Sequence, residues 1–239
     1  MRIIVMGTGP FAVPMLEAIL ADGHDVPVVV TRPLPPARGR KKPPVNPLRE
    51  AANQHGLTLL DPADVNTADV VAELANLQAD LLVVCDFGQI LSPAALGVTP
   101  LGGINLHGSL LPKYRGAAPV QWAIINGDAT TGVTVIHMTP KLDGGPALCQ
   151  LEVTINAAET AEELEHRLAA LGAPAVIDAI EILAKWDQIS TIGTRQDKQL
   201  VTQAPRLHKQ LGNILWNKPA ATIINLHRGL RPWPGCFTQ

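Results

Sequence analysis

Residues 2–12 read Arg2-Ile3-Ile4-Val5-Met6-Gly7-Thr8-Gly9-Pro10-Phe11-Ala12. The unbroken apolar run before Gly7 predicts a strand buried on both faces, and the glycines at 7 and 9 permit a sharp turn out of it. Val13–Ala21 then reads as a helix ended by Gly23, and Val26–Thr31 as a second β-branched strand. Strand, glycine turn, helix and strand open a parallel sheet with crossover helices. The expected fold class is therefore α/β: a Rossmann-like, mostly parallel sheet with helices on both faces. The turn also matches GxGxxA, the dinucleotide fingerprint. Thr31-Arg32 stands where an acid would bind a ribose hydroxyl, and Arg32 would suit a 2′-phosphate, so an NADP-binding oxidoreductase is one reading of these residues.

Downstream, residues 32–47 are proline-rich and basic, with Arg32, Arg38, Arg40, Lys41 and Lys42 and no acid between Val26 and Arg49. Prolines deny this stretch a helix or a central strand. It reads as a long surface loop, either a solvated linker or a basic finger that meets phosphates. Arg49–His55 predicts a short helix closed by Gly56, Leu57–Leu60 a strand, and Val65–Leu77 an amphipathic helix. Asp80–Cys85 is a fully apolar strand that delivers Asp86-Phe87-Gly88-Gln89-Ile90-Leu91 to its carboxyl end, where ligands bind in open α/β sheets. Gly102–His107 is the next strand, Ala117–Asn126 a helix, and Gly132–His137 and Ala147–Val153 are strands on either side of Asp143. Thr160-Ala-Glu-Glu163 is a capping box opening a helix that runs to about Lys185, with a kink expected at Pro174. The chain is expected to divide into a catalytic domain over 1–187, a polar linker over 188–205, and the incomplete start of a truncated C-terminal domain over 206–239.

The apolar content of 46% suits a soluble protein with a real core. A formal net charge of −2 argues against a protein that coats nucleic acid, but it hides a second basic segment. After Ser190, Arg195, Lys198, Arg206, Lys209, Lys218, Arg228 and Arg231 face Asp197 alone. Two basic stretches on a mildly acidic chain suggest a polyanionic partner. Cys85, Cys149 and Cys236 make neither a disulfide framework nor a zinc spacing, which favours the cytoplasm. No run approaches a membrane span or signal peptide, so no membrane partner is expected.

The chemistry gathers in Ile104-Asn105-Leu106-His107-Gly108-Ser109-Leu110-Leu111-Pro112 and Leu142-Asp143-Gly144-Gly145-Pro146. On a strand, Asn105 and His107 point to one face. An amide, an imidazole and a carboxylate can stabilise an oxyanion, move a proton and orient its carrier. The other histidines are more simply surface residues (His24, His55, His166, His208, His227) or a satisfied half-buried one (His137). No GxSxG elbow, Walker A loop or metal-ligand spacing is present, and no metal is expected.

Asn105-Leu-His107-Gly-Ser-Leu-Leu-Pro112-Lys-Tyr-Arg-Gly116-Ala-Ala-Pro119, taken with Leu142-Asp143-Gly-Gly-Pro146, closely resembles the formyltransferases that use 10-formyltetrahydrofolate. Gly7–Pro14, Gly108 after the histidine, Gln121, and the late Ala204-Pro-Arg-Leu…Trp216…Pro232-Trp-Pro-Gly235 resemble the branch that formylates methionyl-tRNA. The resemblance implies that Asn105, His107 and Asp143 are the catalytic trio. It implies that Phe87, Gly88, Gln89, Ile90, Leu91, Ser109, Leu110, Leu111 and Pro112 line the folate pocket, largely through backbone groups. It further implies that Asp143 orients the imidazole and that Arg38, Arg40, Lys41 and Lys42 contact initiator methionyl-tRNA, with a monomer as the acting species. The chain departs from that pattern at Phe87 and Ser92, where tyrosine and proline are usual, and at Leu215, commonly acidic. A β-barrel expected after the Pro-Trp-Pro-Gly turn is also missing, which bears on tRNA affinity more than on catalysis. Rival readings are a sugar-nucleotide N-formyltransferase, the NADP oxidoreductase, and a non-catalytic RNA-binding remnant.

Overall fold

The computed structural model describes residues 1–35 and 45–238. β1 (Ile3–Gly7) passes through a 3-10 turn at Pro10–Ala12 into α1 (Val13–Ala21). There follow β2 (Val29–Val30), α2 (Pro47–Gln54), β3 (Leu59–Leu60), α3 (Ala68–Asn76), β4 (Leu81–Cys85), α4 (Pro93–Leu96) and β5 (Gly103–His107). Beyond the site loop come β6 (Arg115–Gly116), α5 (Pro119–Ile125), β7 (Thr130–His137), β8 (Ala147–Thr154), α6 (Ala161–Ala184), β9 (Gln203–Ala204) and α7 (Ala220–Gly229). Seven strands form one sheet in the order β3-β2-β1-β4-β5-β7-β8. The first five are parallel, and β7 and β8 close the edge antiparallel. The expected Rossmann-like α/β class is the one observed.

Alternation along the central strands sorts the core into two faces. Ile3 and Val5 of β1, Leu81 and Val83 of β4, and Ile104 and Leu106 of β5 pack with α1, α2 and α6. Ile4, Met6, Leu82 and Val84 pack on the opposite face with Leu74 of α3 and Ala95 of α4. Asn105 and His107 alternate with Ile104 and Leu106, so they fall on this second face, past the cover of α3 and α4. Chain order reverses between β1 and β4, the switch point at which such sheets bind ligands.

α6 closes the first face. Thr160 Oγ1 accepts from the Glu163 amide at 3.4 Å while a Glu163 oxygen accepts from the Thr160 amide at 2.8 Å, the reciprocal cap expected from sequence. The helix continues through Pro174 to Ala184. It crosses β5 at Gly172, where a Cβ would stand 2.8 Å from the Leu106 methyls, so a larger residue would have to displace that side chain. Beyond residue 205, Leu207, Leu226 and Leu230 pack against Ala118, Trp122 and Ile125 and seat α7 on α5.

Several elements are shorter than the sequence pattern predicts, among them β3, at Leu59–Leu60 for an expected Leu57–Leu60, and α5, at Pro119–Ile125 for an expected Ala117–Asn126. Val28–Val30 are buried, but ladder pairing of β2 is confined to Val29 and Val30. α3 begins at Ala68 rather than Val65, because Val65 is a core residue of the preceding turn and its amide is held by the Gln89 side chain at 2.9 Å.

Candidate active site

β5 delivers Asn105 and His107 to the wall of a cavity of about 550 Å³ that Asp143 also lines. The loop after β7 brings Asp143 there. It starts beside β5, where the Met138 amide donates to the Gly103 carbonyl at 2.7 Å, and runs back along the strand toward His107. Gly145 allows that path, since a Cβ there would overlap the His137 carbonyl. Asp143 itself sits in the left-handed region at φ 46°, a conformation that aspartate tolerates better than most residues.

His107 is 6% exposed, and its Nε2 lies 2.8 Å from the Tyr114 carbonyl. A carbonyl only accepts, so Nε2 carries the proton, and in the neutral ring Nδ1 is the lone pair. That Nδ1 faces Asp143 Oδ1 across 3.9 Å, too far for a hydrogen bond. The Gly116 amide holds the other oxygen of Asp143 at 2.8 Å. The hydrogen bond that orients the imidazole goes to the Tyr114 carbonyl, while Asp143 stays within ion-pair range of the ring. Tyr114 is fixed in turn by its hydroxyl, which donates to Asp128 and accepts from Asn126, both at 3.0 Å. Among the described residues the Asn105 carboxamide makes no side-chain hydrogen bond, and it lines the cavity with His107.

Besides Asp143 the cavity holds two further acids. Asp86, at φ 47° just beyond β4, and Glu165 on α6 both line it. Desolvation between the packed elements pushes Asp86 up to about 6, against the Gly9 amide and the Arg32 charge, which favour its ionised form. Glu165 is pushed up to about 7, mainly by desolvation and then by the charges of Asp86 and Glu162. The same burial and both carboxylates raise the thiol of Cys85. This arrangement removes the dinucleotide reading. The Gly9 amide, which a pyrophosphate would need, faces the Asp86 carboxylate, and a Cβ at Gly9 would overlap that carboxylate. Arg32 folds over Gly88 beside it instead of standing free for a 2′-phosphate.

Phe87, Gly88, Gln89, Ile90 and Leu91 all reach the cavity wall. Gln89 also braces it, accepting from the Val65 amide at 2.9 Å and donating to the Pro62 carbonyl at 3.2 Å. Ser109, Leu110, Leu111 and Pro112 do not line this cavity. The Thr134 hydroxyl donates to the Ser109 carbonyl at 2.7 Å and accepts from the Leu111 amide at 3.0 Å, which pins the turn down onto β7. Leu111 and Pro112 line a smaller cavity of about 280 Å³ with residues 147–150 and 194–197. Arg38, Arg40, Lys41 and Lys42 lie outside the described residues. Sequence reasoning passed over Tyr114, Gly116, Glu165 and Arg206 as site residues. The first two stand within the recognisable loop motif and Arg206 within Ala204-Pro-Arg-Leu, whereas Glu165 carries no local signal.

Residues 1–180 match the formyl transferase family and 206–239 its C-terminal domain. Methionyl-tRNA formyltransferase of Rhodopirellula baltica is 49% identical over all of this chain and 73% of its own length. The enzyme of that name from Pseudomonas fluorescens is 45% identical, with 100% and 74% covered, so the chain spans about three quarters of these relatives. A sugar N-formyltransferase from a Shewanella species superposes with a TM-score of 0.73 at 19% identity, covering 100% of this chain and 92% of that one. HypX from Aquifex aeolicus in complex with tetrahydrofolic acid gives 0.72 at 16% identity, with 100% and 36% covered. These two likenesses speak for the fold. The sequence matches speak for descent: the chain belongs to the formyl transferase family, among relatives that are methionyl-tRNA formyltransferases.

Proposed function

We propose that this protein transfers the formyl group of 10-formyltetrahydrofolate, consumed as a substrate, to the amino group of initiator methionyl-tRNA, a cytoplasmic step of translation initiation. The observation that carries this reading is the convergence of Asn105, His107 and Asp143 on one cavity in a chain whose relatives at 41–49% identity bear that activity in their names.

In this reading the amine nitrogen attacks the formyl carbon. The Asn105 carboxamide donates to the oxygen on which negative charge grows, a contact worth about 2.7–4 kcal/mol of barrier when preorganised. His107 Nδ1 and Asp143 Oδ1 face each other across 3.9 Å, and a protonated amine between them can reach both. Asp143, held by the Gly116 amide, takes the proton released as the C–N bond forms. His107, its other nitrogen committed to the Tyr114 carbonyl, first takes a proton from that ammonium on its Nδ1 lone pair, which frees the amine to attack. Once protonated it supports the oxyanion and returns that proton to the departing folate nitrogen. Arg32 and Arg206 give the cavity a basic rim, and Arg32 leads directly into the basic stretch that carries Arg38, Arg40, Lys41 and Lys42.

Purified protein supplied with 10-formyltetrahydrofolate is expected to formylate methionyl-tRNA and to leave an amino-sugar nucleotide untouched. Formylation of the sugar nucleotide alone would move the assignment to the sugar N-formyltransferases. Tight tRNA binding without turnover would leave a binding remnant.

A further inference from the structure

The stretch that reads as a polar linker is built into the site. The Thr194 backbone exchanges hydrogen bonds of 2.8 and 2.9 Å with Ala147, just beyond the Asp143 turn. Further on, Thr202 accepts from the Tyr114 amide through its hydroxyl at 2.8 Å and from the Arg115 amide through its carbonyl at 2.9 Å. β9 then pairs with β6, and Gly116 can meet Ala204 this closely only because it lacks a Cβ. The segment is a strap fastened at one end to the loop that carries Asp143 and at the other to the loop that holds His107.

Gln196 spans the two. Its Nε2 donates to the Asp143 carbonyl at 2.8 Å and to the Gly145 carbonyl at 2.7 Å. Its Oε1 accepts from Arg115 Nε at 3.0 Å and Nη2 at 2.6 Å. Arg115 is 5% exposed, so its charge is compensated here by an amide oxygen in a place that water hardly reaches. A carboxamide can present two donors one way and an acceptor the other; glutamate keeps only the acceptor side and methionine neither. The Gly116 amide that holds the Asp143 carboxylate follows Arg115 directly. Gln196 therefore fixes the backbone on both sides of that contact, at a turn whose left-handed aspartate needs its surroundings to hold it.

We propose that Gln196 is a positioning residue for formyl transfer, setting Asp143 at its working distance from His107. The inference rests on reading Asp143 and His107 as the reacting pair, where misplacement by about 1 Å can cost roughly a hundredfold in rate. In Gln196→Met, kcat is expected to fall by about tenfold to a hundredfold while KM for folate and tRNA stays within roughly twofold. Exchange of the Gly116 amide hydrogen, followed by NMR, should quicken by about tenfold or more as its acceptor loosens. Gln196→Glu keeps the contact to Arg115 and so folds even where the methionine variant does not. It is expected to show the same loss of kcat. Wild-type kcat in a folded variant, a defect confined to KM, or unchanged Gly116 exchange would each overturn the proposal. Gly116 exchange needs no substrate, so it still decides the role of Gln196 if wild-type protein fails to formylate methionyl-tRNA and the functional reading falls.

Discussion

His107 Nδ1 and Asp143 Oδ1 stand 3.9 Å apart, and neither is held by the other. The imidazole is anchored on the Tyr114 carbonyl and the carboxylate on the Gly116 amide, so two basic atoms face one another across a gap. A mutual hydrogen bond would have consumed the groups that receive the amine in the proposed reaction. Asp143→Asn tests this directly. Its amide oxygen can still accept from Gly116, so fold and folate affinity should persist. The proton acceptor is gone, and kcat should fall by about 10²–10⁴, measured by single-turnover formylation. Activity within a few-fold of wild type would show that another group takes the proton.

In the proposed reaction Asn105 donates to the oxygen on which negative charge grows. Asn105→Ala should lower kcat by about 10²–10³ with little change in KM, since the oxyanion exists only in the transition state. A rise in KM at constant kcat would instead make Asn105 a ground-state contact.

What could be read from the sequence follows the range of the interactions involved. α1 occupies Val13–Ala21, the residues its pattern predicts, and α6 starts at the predicted cap, because a glycine turn and a capping box are local. Asn105 and His107 share a face by strand period, and Asp143 stands on a legible turn. The resemblance places Ser109–Pro112 in the folate pocket, but the sequence alone does not show how that stretch is held. Here the Thr134 hydroxyl, from a strand more than twenty residues later, draws it onto β7. Gln196 and Glu165 had no local signal at all. One depends on a segment returning to Asp143 from fifty-three residues away, the other on α6 ending up beside β4.

That second juxtaposition has a pH signature. Asp86 and Glu165 titrate near 6 and near 7 in the folded protein, above ordinary values of about 3.9 and 4.3 in an unfolded chain. Between those limits the folded state retains protons that the unfolded state has lost, so stability falls as pH rises from about 4 through 7 and then levels off. Glu165→Gln removes one of these charges and relieves the repulsion on Asp86. Thermal unfolding should show the variant more stable than wild type at pH 8, the difference vanishing near pH 4. An equal Tm shift at both pH values would mean that packing, not ionisation, sets the effect.

The basic stretch is the remaining route by which the acceptor can be chosen. Its near end leaves the cavity rim at Arg32. At the far end Asn46 is held: its side chain donates to Thr31 Oγ1 at 2.7 Å and accepts from the Arg49 amide at 3.0 Å, capping α2. The stretch is thus rooted beside the site at both ends, with no acid of its own to cancel the charge of Arg38, Arg40, Lys41 and Lys42. If those cations meet acceptor phosphates, neutralising any one of them should reduce the slope of log K against log salt by about one. Replacing all four with serine should therefore weaken tRNA binding, most at low salt, and flatten that slope by several units. Turnover at saturating tRNA should be kept, because the trio lies on other elements. A slope equal to wild type would mean that this stretch touches no phosphate, leaving Arg206 and the basic residues that follow it to bind the acceptor.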